Sequence, residues 1–437
     1  RGPRPRGAVL MRRAAILLVL LAGCPDPEEG VFTCPDGACP SGWFCHSDGY
    51  CRADPEDLAD AAMDASDDAA VDGGADAGED AATDAGPDAE VDACVPGSDA
   101  VDLLLVVDDS VSMSEEQEEL VAAFPDLVRA LATGQPMPGG AVEFPPIDDL
   151  HVGVVSSDMG TGGFVVPTCP DSDFGGDGVL TTTVRSSDAT CPDALPAFLE
   201  YETAGLSRFR RDFACKATLG TNGCGFEQQL EAMLKAITPS TSALEFHGGT
   251  VGHADGVNAG FLRPDSVLVV LIVSDEEDCS AANPALFQTM GGPFPGDLNS
   301  RCVEYHDAEG ALHPISRYVD GLRDLRPGAA GRVVFAPLVG VPVDLQTAAW
   351  DAILEDDAME LAIDPMTLGP STACERVEGG VTLTRASPGV RYVETAQELD
   401  LLGSQAVLGS ICAPSYAPFF RRLLAAINGA VDVSTCD

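Results

Sequence analysis

Apolar residues fall along this chain in two patterns. Leu103 to Val107 form an unbroken apolar run that gives way at once to Asp108, Asp109 and Ser110-Val111-Ser112. A run of that length with a polar end suits a strand buried on both faces, its carboxyl end emerging at the rim of a sheet. LHVGVVSSD (150–158), SVLVVLIVSDEED (266–278) and GRVVFAPLVG (331–340) repeat the pattern, each ending in small or acidic residues. Elsewhere the period becomes helical. Leu120, Phe124, Leu127, Val128 and Leu131 share one face, as do Phe226, Leu230, Met233, Leu234 and Ile237, and then Phe420, Leu423, Leu424 and Ile427. Pro125 is expected to kink or split the first of these helices, and Asn428-Gly429 to stop the last. Strands alternating with helical stripes predict an α/β domain over 100–437, with a central, mostly parallel sheet flanked by helices. Such folds place ligands at the carboxyl rim of the sheet.

The first 99 residues follow neither pattern. Met11, Arg12 and Arg13 precede an apolar stretch, 14–23, too short to span a bilayer, which is the layout of a secretory signal. Its end, Leu21 to Cys24, reads LAGC and resembles the lipobox of bacterial lipoproteins. That resemblance implies cleavage before Cys24, lipidation of Cys24, and residues 1–10 lying upstream of the true start. The expected location is a bacterial cell envelope, lipid-anchored at the outer membrane or cell surface, with the periplasm as the alternative. Of 15 cysteines, removing Cys24 as a lipid carrier leaves an even number, as suits an oxidising compartment.

Residues 24–52 carry Cys34, Cys39, Cys45 and Cys51 among turns with little apolar content. A module of that kind needs disulfides to hold it, and the spacing lacks the CxxC pairs of a zinc knuckle. Residues 53–99 are dominated by Ala, Asp, Glu and Gly, the composition of an extended, disordered tether. The cysteines from Cys94 onward suggest local bridges, Cys169 with Cys191, Cys215 with Cys224, Cys279 with Cys302 and Cys374 with Cys412, leaving Cys94 with Cys436. Spacing alone leaves that connectivity open. The formal net charge is −46 and the pI about 4.1, which argues against electrostatic capture of nucleic acid or anionic lipid and favours cations.

The polar end of the first strand has the form DxSxS, Asp108, Ser110 and Ser112, directly ahead of a helix. It offers hard oxygen ligands of the kind a divalent cation takes. The arrangement resembles the metal-ion-dependent adhesion site of von Willebrand factor type A domains, a Rossmann-like α/β family, and the resemblance extends over roughly 100–430. The family places a further aspartate at the end of a later strand, which Asp275 matches, although the usual Asp-Gly is Asp275-Glu276 here. Its third element, a threonine in a loop before a helix, falls on Thr221, with Thr218 and Thr161 as the other candidates. The resemblance implies that Ser110, Ser112 and Thr221 hold Mg²⁺, or Mn²⁺ or Ca²⁺ in its place, with Asp108 and Asp275 binding directly or through water. One position is left for a carboxylate of a partner protein. Binding or adhesion is the implied function, and the chain is read as no enzyme.

Each signal has a plainer counterpart. Asp108 and Ser110 also suit a helix N-cap. Glu276, Glu277 and Asp278 read as a solvated acidic loop, and CPDSDFGGDG (169–178) as a Gly-rich turn. His247, His253, His306 and His313 lack the spacing of a zinc helix and read as loop residues. No GxSxG, HExxH or GxxxxGK occurs. The alternatives are a metal-dependent hydrolase using the acidic cluster at 275–278 to activate water, and a structural envelope protein whose fold binds no metal.

Overall fold

The computed structural model describes residues 98–201, 205–366 and 369–433, together with the backbone of one short strand pair nearer the N-terminus. That pair, β1 (Phe44–Cys45) and β2 (Cys51–Arg52), is antiparallel with Cys45 opposite Cys51. The signal segment, Cys24, Cys34, Cys39, the acidic tether, Cys94 and Cys436 lie outside the described residues. The chain separates into two units, 1–85 and 86–437, and the second carries all that follows.

The fold is α/β with a mostly parallel sheet between two layers of helices. Its centre is β3 (Ala100–Val107), parallel to β4 (Asp149–Ser156) on one side and to β6 (Val267–Val273) on the other. Beyond β6 lies β7 (Val333–Val339), then β10 (Gln405–Ala406) and β11 (Gly409–Ser410), all parallel. β5 (Phe198–Tyr201) closes the other edge, antiparallel to β4.

The unbroken apolar run of β3 follows from this position. Leu103, Leu105 and Val107 point into a core shared with α1 (Ser114–Thr133), α2 (Leu206–Ala217) and α8 (Ala417–Val431). Leu104 and Val106 point the other way, among α3 (Gln229–Ile237), α5 (Ile315–Asp324) and α7 (Val390–Leu401). Alternate side chains thus enter different cores, and each fully buried Leu or Val contributes roughly 1.5–3 kcal/mol. Polar residues are excluded until the strand reaches the rim.

Several sequence expectations need correction. α1 runs through Pro125 as one helix of 20 residues. The proline removes one backbone bond, while Leu120 and Phe124 before it and Leu127, Val128 and Leu131 after it are all buried, so packing holds both halves together. α8 continues past Asn428-Gly429 to Val431, and Asn428 Nδ2 donates to the Leu424 carbonyl at 2.9 Å, which accommodates the residue inside the helix. Phe226 precedes α3 and packs in a separate small core, 5.2 Å from Phe287 between ring centroids. Two bridges are exchanged relative to expectation. Cys169 bonds Cys224 and Cys191 bonds Cys215, while Cys279–Cys302 and Cys374–Cys412 are as anticipated. The loops at 168 and 225 meet through Gly225 N donating to Thr168 O at 3.2 Å, so contact across the rim, not nearness in sequence, chose the partners. Among the described residues no helix is long and apolar enough to cross a membrane.

Candidate metal centre

The adjacent tips of β3 and β6 form the site. Asp108 N donates to Val273 O at 3.0 Å, extending the ladder by one residue and bringing the loops after both strands side by side. Asp108 then turns the chain on itself, its Oδ1 accepting from Ser110 N at 2.9 Å. That turn points two hydroxyls the same way: Ser110 Oγ and Ser112 Oγ lie 2.9 Å apart. Ser112 Oγ reaches Asp275 Oδ1 at 3.1 Å and Glu276 Oε1 at 3.5 Å, across a sequence gap of more than 160 residues. Four of the five residues singled out from sequence therefore belong to one rim site. Asp108 lies behind the serines, its Oδ2 2.6 Å from Ser274 Oγ, which also receives Gln229 Nε2 at 2.8 Å.

Thr221 lines the cleft in front of these residues, about 560 Å³, together with Ser110, Ser112, Thr168, Glu227 and Glu276. The other two threonines are engaged elsewhere. Thr218 Oγ1 donates to Ala214 O at 2.9 Å within its own helix, and Thr161 Oγ1 to Phe164 O at 2.5 Å. Besides the Cys169–Cys224 bridge, hydrogen bonds tie the 218–228 loop to the tip of β3. Gln117 Nε2 donates to both Asp108 O at 2.8 Å and Gly220 O at 2.9 Å, and Gly223 N donates to Asp109 O at 2.7 Å. Gly223 must be glycine, since a Cβ there would stand 2.1 Å from Asp109 Oδ1.

The acidic run 276–278 is not a solvated loop, contrary to expectation. Asp275, Glu277 and Asp278 are all buried. Glu277 caps α7, accepting from Val390 N at 2.7 Å and Arg391 N at 3.2 Å, and Asp278 pairs with Arg391 Nε at 2.9 Å. Among the described residues, Asp275 and Glu276 have no such cation. Burial, reinforced by the charges of Asp108 and Glu276, pushes Asp275 well above the carboxylate range. Burial with the Asp108 charge raises Glu276 to about 7, and burial raises Asp108 as well.

Sequence reasoning passed over two further carboxylates. Glu227, two residues ahead of α3, is 2 % exposed, and burial together with Glu276 and Asp108 pushes it well above its usual range. Glu116, one turn into α1, is also 2 % exposed and is raised to about 7 by burial. Their burial is set by tertiary contacts, so little in the local sequence distinguishes them from surface glutamates. Several of the other polar candidates find partners away from this rim site. In 169–178, the half-buried Asp177 pairs with the buried Lys235 and meets His253 Nε2 at 3.0 Å, and His313 sits beside Glu231.

The donor set fits a hard divalent cation. It consists wholly of oxygens, Asp108, Asp275, Glu227 and Glu116 are buried with Glu276 half-buried among like charges, and among the described residues no Lys or Arg forms an ion pair with any of them. No three or more His, Cys, Asp or Glu side chains among the described residues converge as a ligand cluster. The convergence is of serine hydroxyls with carboxylates.

No family model matches the chain, and no curated protein matches it. Among solved structures, proximal thread matrix protein 1 from the mussel byssus is 14 % identical with a TM-score of 0.22, over 57 % of this chain and 40 % of that one. The human COPII-coat protein Sec24c is 9 % identical with a TM-score of 0.28, over 77 % of this chain and 33 % of that one. The chain spans less than half the length of either structure it resembles.

Proposed function

We propose that this chain is an envelope-tethered binding protein with a von Willebrand factor type A domain, which grips an acidic group of a partner protein through a divalent cation. The observation that supports this most is the continuous path of oxygens from Ser110 Oγ to Ser112 Oγ to Asp275 Oδ1, joining the tips of two neighbouring parallel strands. In this reading Ser110, Ser112 and Asp275 hold Mg²⁺ or Mn²⁺, Asp108 orients the serine loop through its bond to Ser110 N, and the cleft bordered by Thr221 admits the partner. The cation when bound neutralises part of the buried charge and offers a positive point to an incoming carboxylate. Two acidic surfaces have no such attraction without it. The lipid anchor at Cys24 and the acidic tether, read from sequence, would hold the domain clear of the membrane.

The reading is tested by thermal melting with Mg²⁺ or Mn²⁺ against a chelator. Millimolar cation is expected to raise the Tm of the parent protein, since a ligand of the folded state alone stabilises it by mass action. Asp108→Ala is expected to abolish that increment. A parent protein whose Tm ignores both cations would end the proposal.

A further inference from the structure

Glu227 is a buried carboxylate at the rim that the reading above leaves without a role. Its Oε1 is fully enclosed and has no hydrogen-bond partner among the described residues, while the backbone is well anchored, its carbonyl accepting from Cys279 N at 2.8 Å. A buried, unpaired carboxylate oxygen is costly wherever nothing answers its charge. The surroundings add to it, because the charges of Asp108 and of Glu276, which also shares a hydrogen bond with the Glu227 carboxyl, both oppose its ionisation. Yet Glu227 faces the cleft that Ser110, Ser112, Thr221 and Glu276 line. The loop ahead of α3 therefore offers two oxygens to that cleft. The half-buried hydroxyl of Thr221 lies eight residues before the helix, and the buried carboxylate of Glu227 lies two before it.

We infer that Glu227, and not Thr221, is the residue of this loop that holds the cation. The inference rests on the cation site proposed above and specifies its third side. A carboxylate in place of a neutral hydroxyl adds a full negative charge to the ligand set, which strengthens attraction for a dication and leaves less residual positive charge for an acidic partner. Such a site keeps its ion between binding events. It also accounts for the absence of any Lys or Arg ion pair to Glu227 among the described residues, since a basic side chain there would compete with the ion.

The test is calorimetric titration of the full chain with Mn²⁺ alone, alongside melting curves in chelator. Glu227→Gln is expected to weaken Mn²⁺ binding at least tenfold while melting at or above the parent in chelator, because it removes a repulsive charge and keeps the shape. Thr221→Ala is expected to change Mn²⁺ affinity by less than twofold. If Glu227→Gln binds Mn²⁺ as the parent does, or if Thr221→Ala loses it, the assignment of Glu227 is wrong while the cation site stands. If Glu227→Gln melts well below the parent in chelator, Glu227 is a structural residue and the inference fails. If the parent itself takes up no Mn²⁺, both the site and the inference fall together.

Discussion

Arg391 divides the acidic run 275–278 into two halves with opposite electrostatics. It is 3 % exposed, pairs with Asp278 at 2.9 Å, and donates from its other nitrogen to His313 O at 2.8 Å. Arg391→Met leaves Asp278 and Glu277 buried without their cation, and breaking a buried pair from one side costs about 3–5 kcal/mol. Urea denaturation should show the midpoint falling by a corresponding amount. A loss under 1 kcal/mol would mean that water already reaches Asp278. Asp275 and Glu276, on the other half, have no such partner, and that contrast could not be read from four consecutive acidic letters. Asp108, Ser110, Ser112 and Asp275 were legible because a polar cluster ending an apolar run has few structural uses. Glu227 was not, because a glutamate just before a helix usually faces water, and only the fold shows that this one is enclosed.

Between elements, the hairpin of β8 (Cys374–Glu378) and β9 (Val381–Ala386) supports the Asp275 side of the rim. Ser387, just after β9, donates its N–H to Asp275 O at 2.9 Å, and Arg376 pairs with Glu119 on α1 and reaches Ala413 O at 3.1 Å. The Cys374–Cys412 bridge fixes the base of this hairpin and closes a loop of 38 residues. Chain entropy gives such a bridge about 3–4 kcal/mol. The double substitution Cys374→Ala with Cys412→Ala is expected to lower stability by that order in denaturant melts, and an unchanged midpoint would show that the hairpin holds itself. Four buried strands and three helical stripes were visible in the sequence because each repeats a period over many residues. α2 was not, since its buried face rests on little more than Phe209 and Phe213 among charged residues. The exchanged bridges were invisible for a related reason, because loops long enough to cross the rim leave no mark of their destination in spacing.

At the scale of the molecule, charge dominates. A chain with a formal net charge of −46 repels itself in the compact state. Raising NaCl from 10 to 150 mM shortens the screening length from roughly 30 Å to roughly 8 Å. The metal-free protein is therefore expected to melt several degrees higher in the saltier buffer, measured by scanning calorimetry with chelator present. A flat or falling Tm would show that the acidic groups are too far apart to matter. The fold class was legible at this scale from the alternation of strand and helix patterns alone.

The central placement of β3 has a consequence for how the rim behaves. Hydrogen-bonded along both edges and covered on both faces, this strand belongs to the part of the molecule that opens only when everything opens. Asp108 is its next residue, so the serine loop is hung from the stiffest point available and the cleft has little room to adapt. On the function proposed above, whatever enters would have to match oxygens whose positions were settled when the chain folded, and discrimination among ions and partners would be exercised by shape already present.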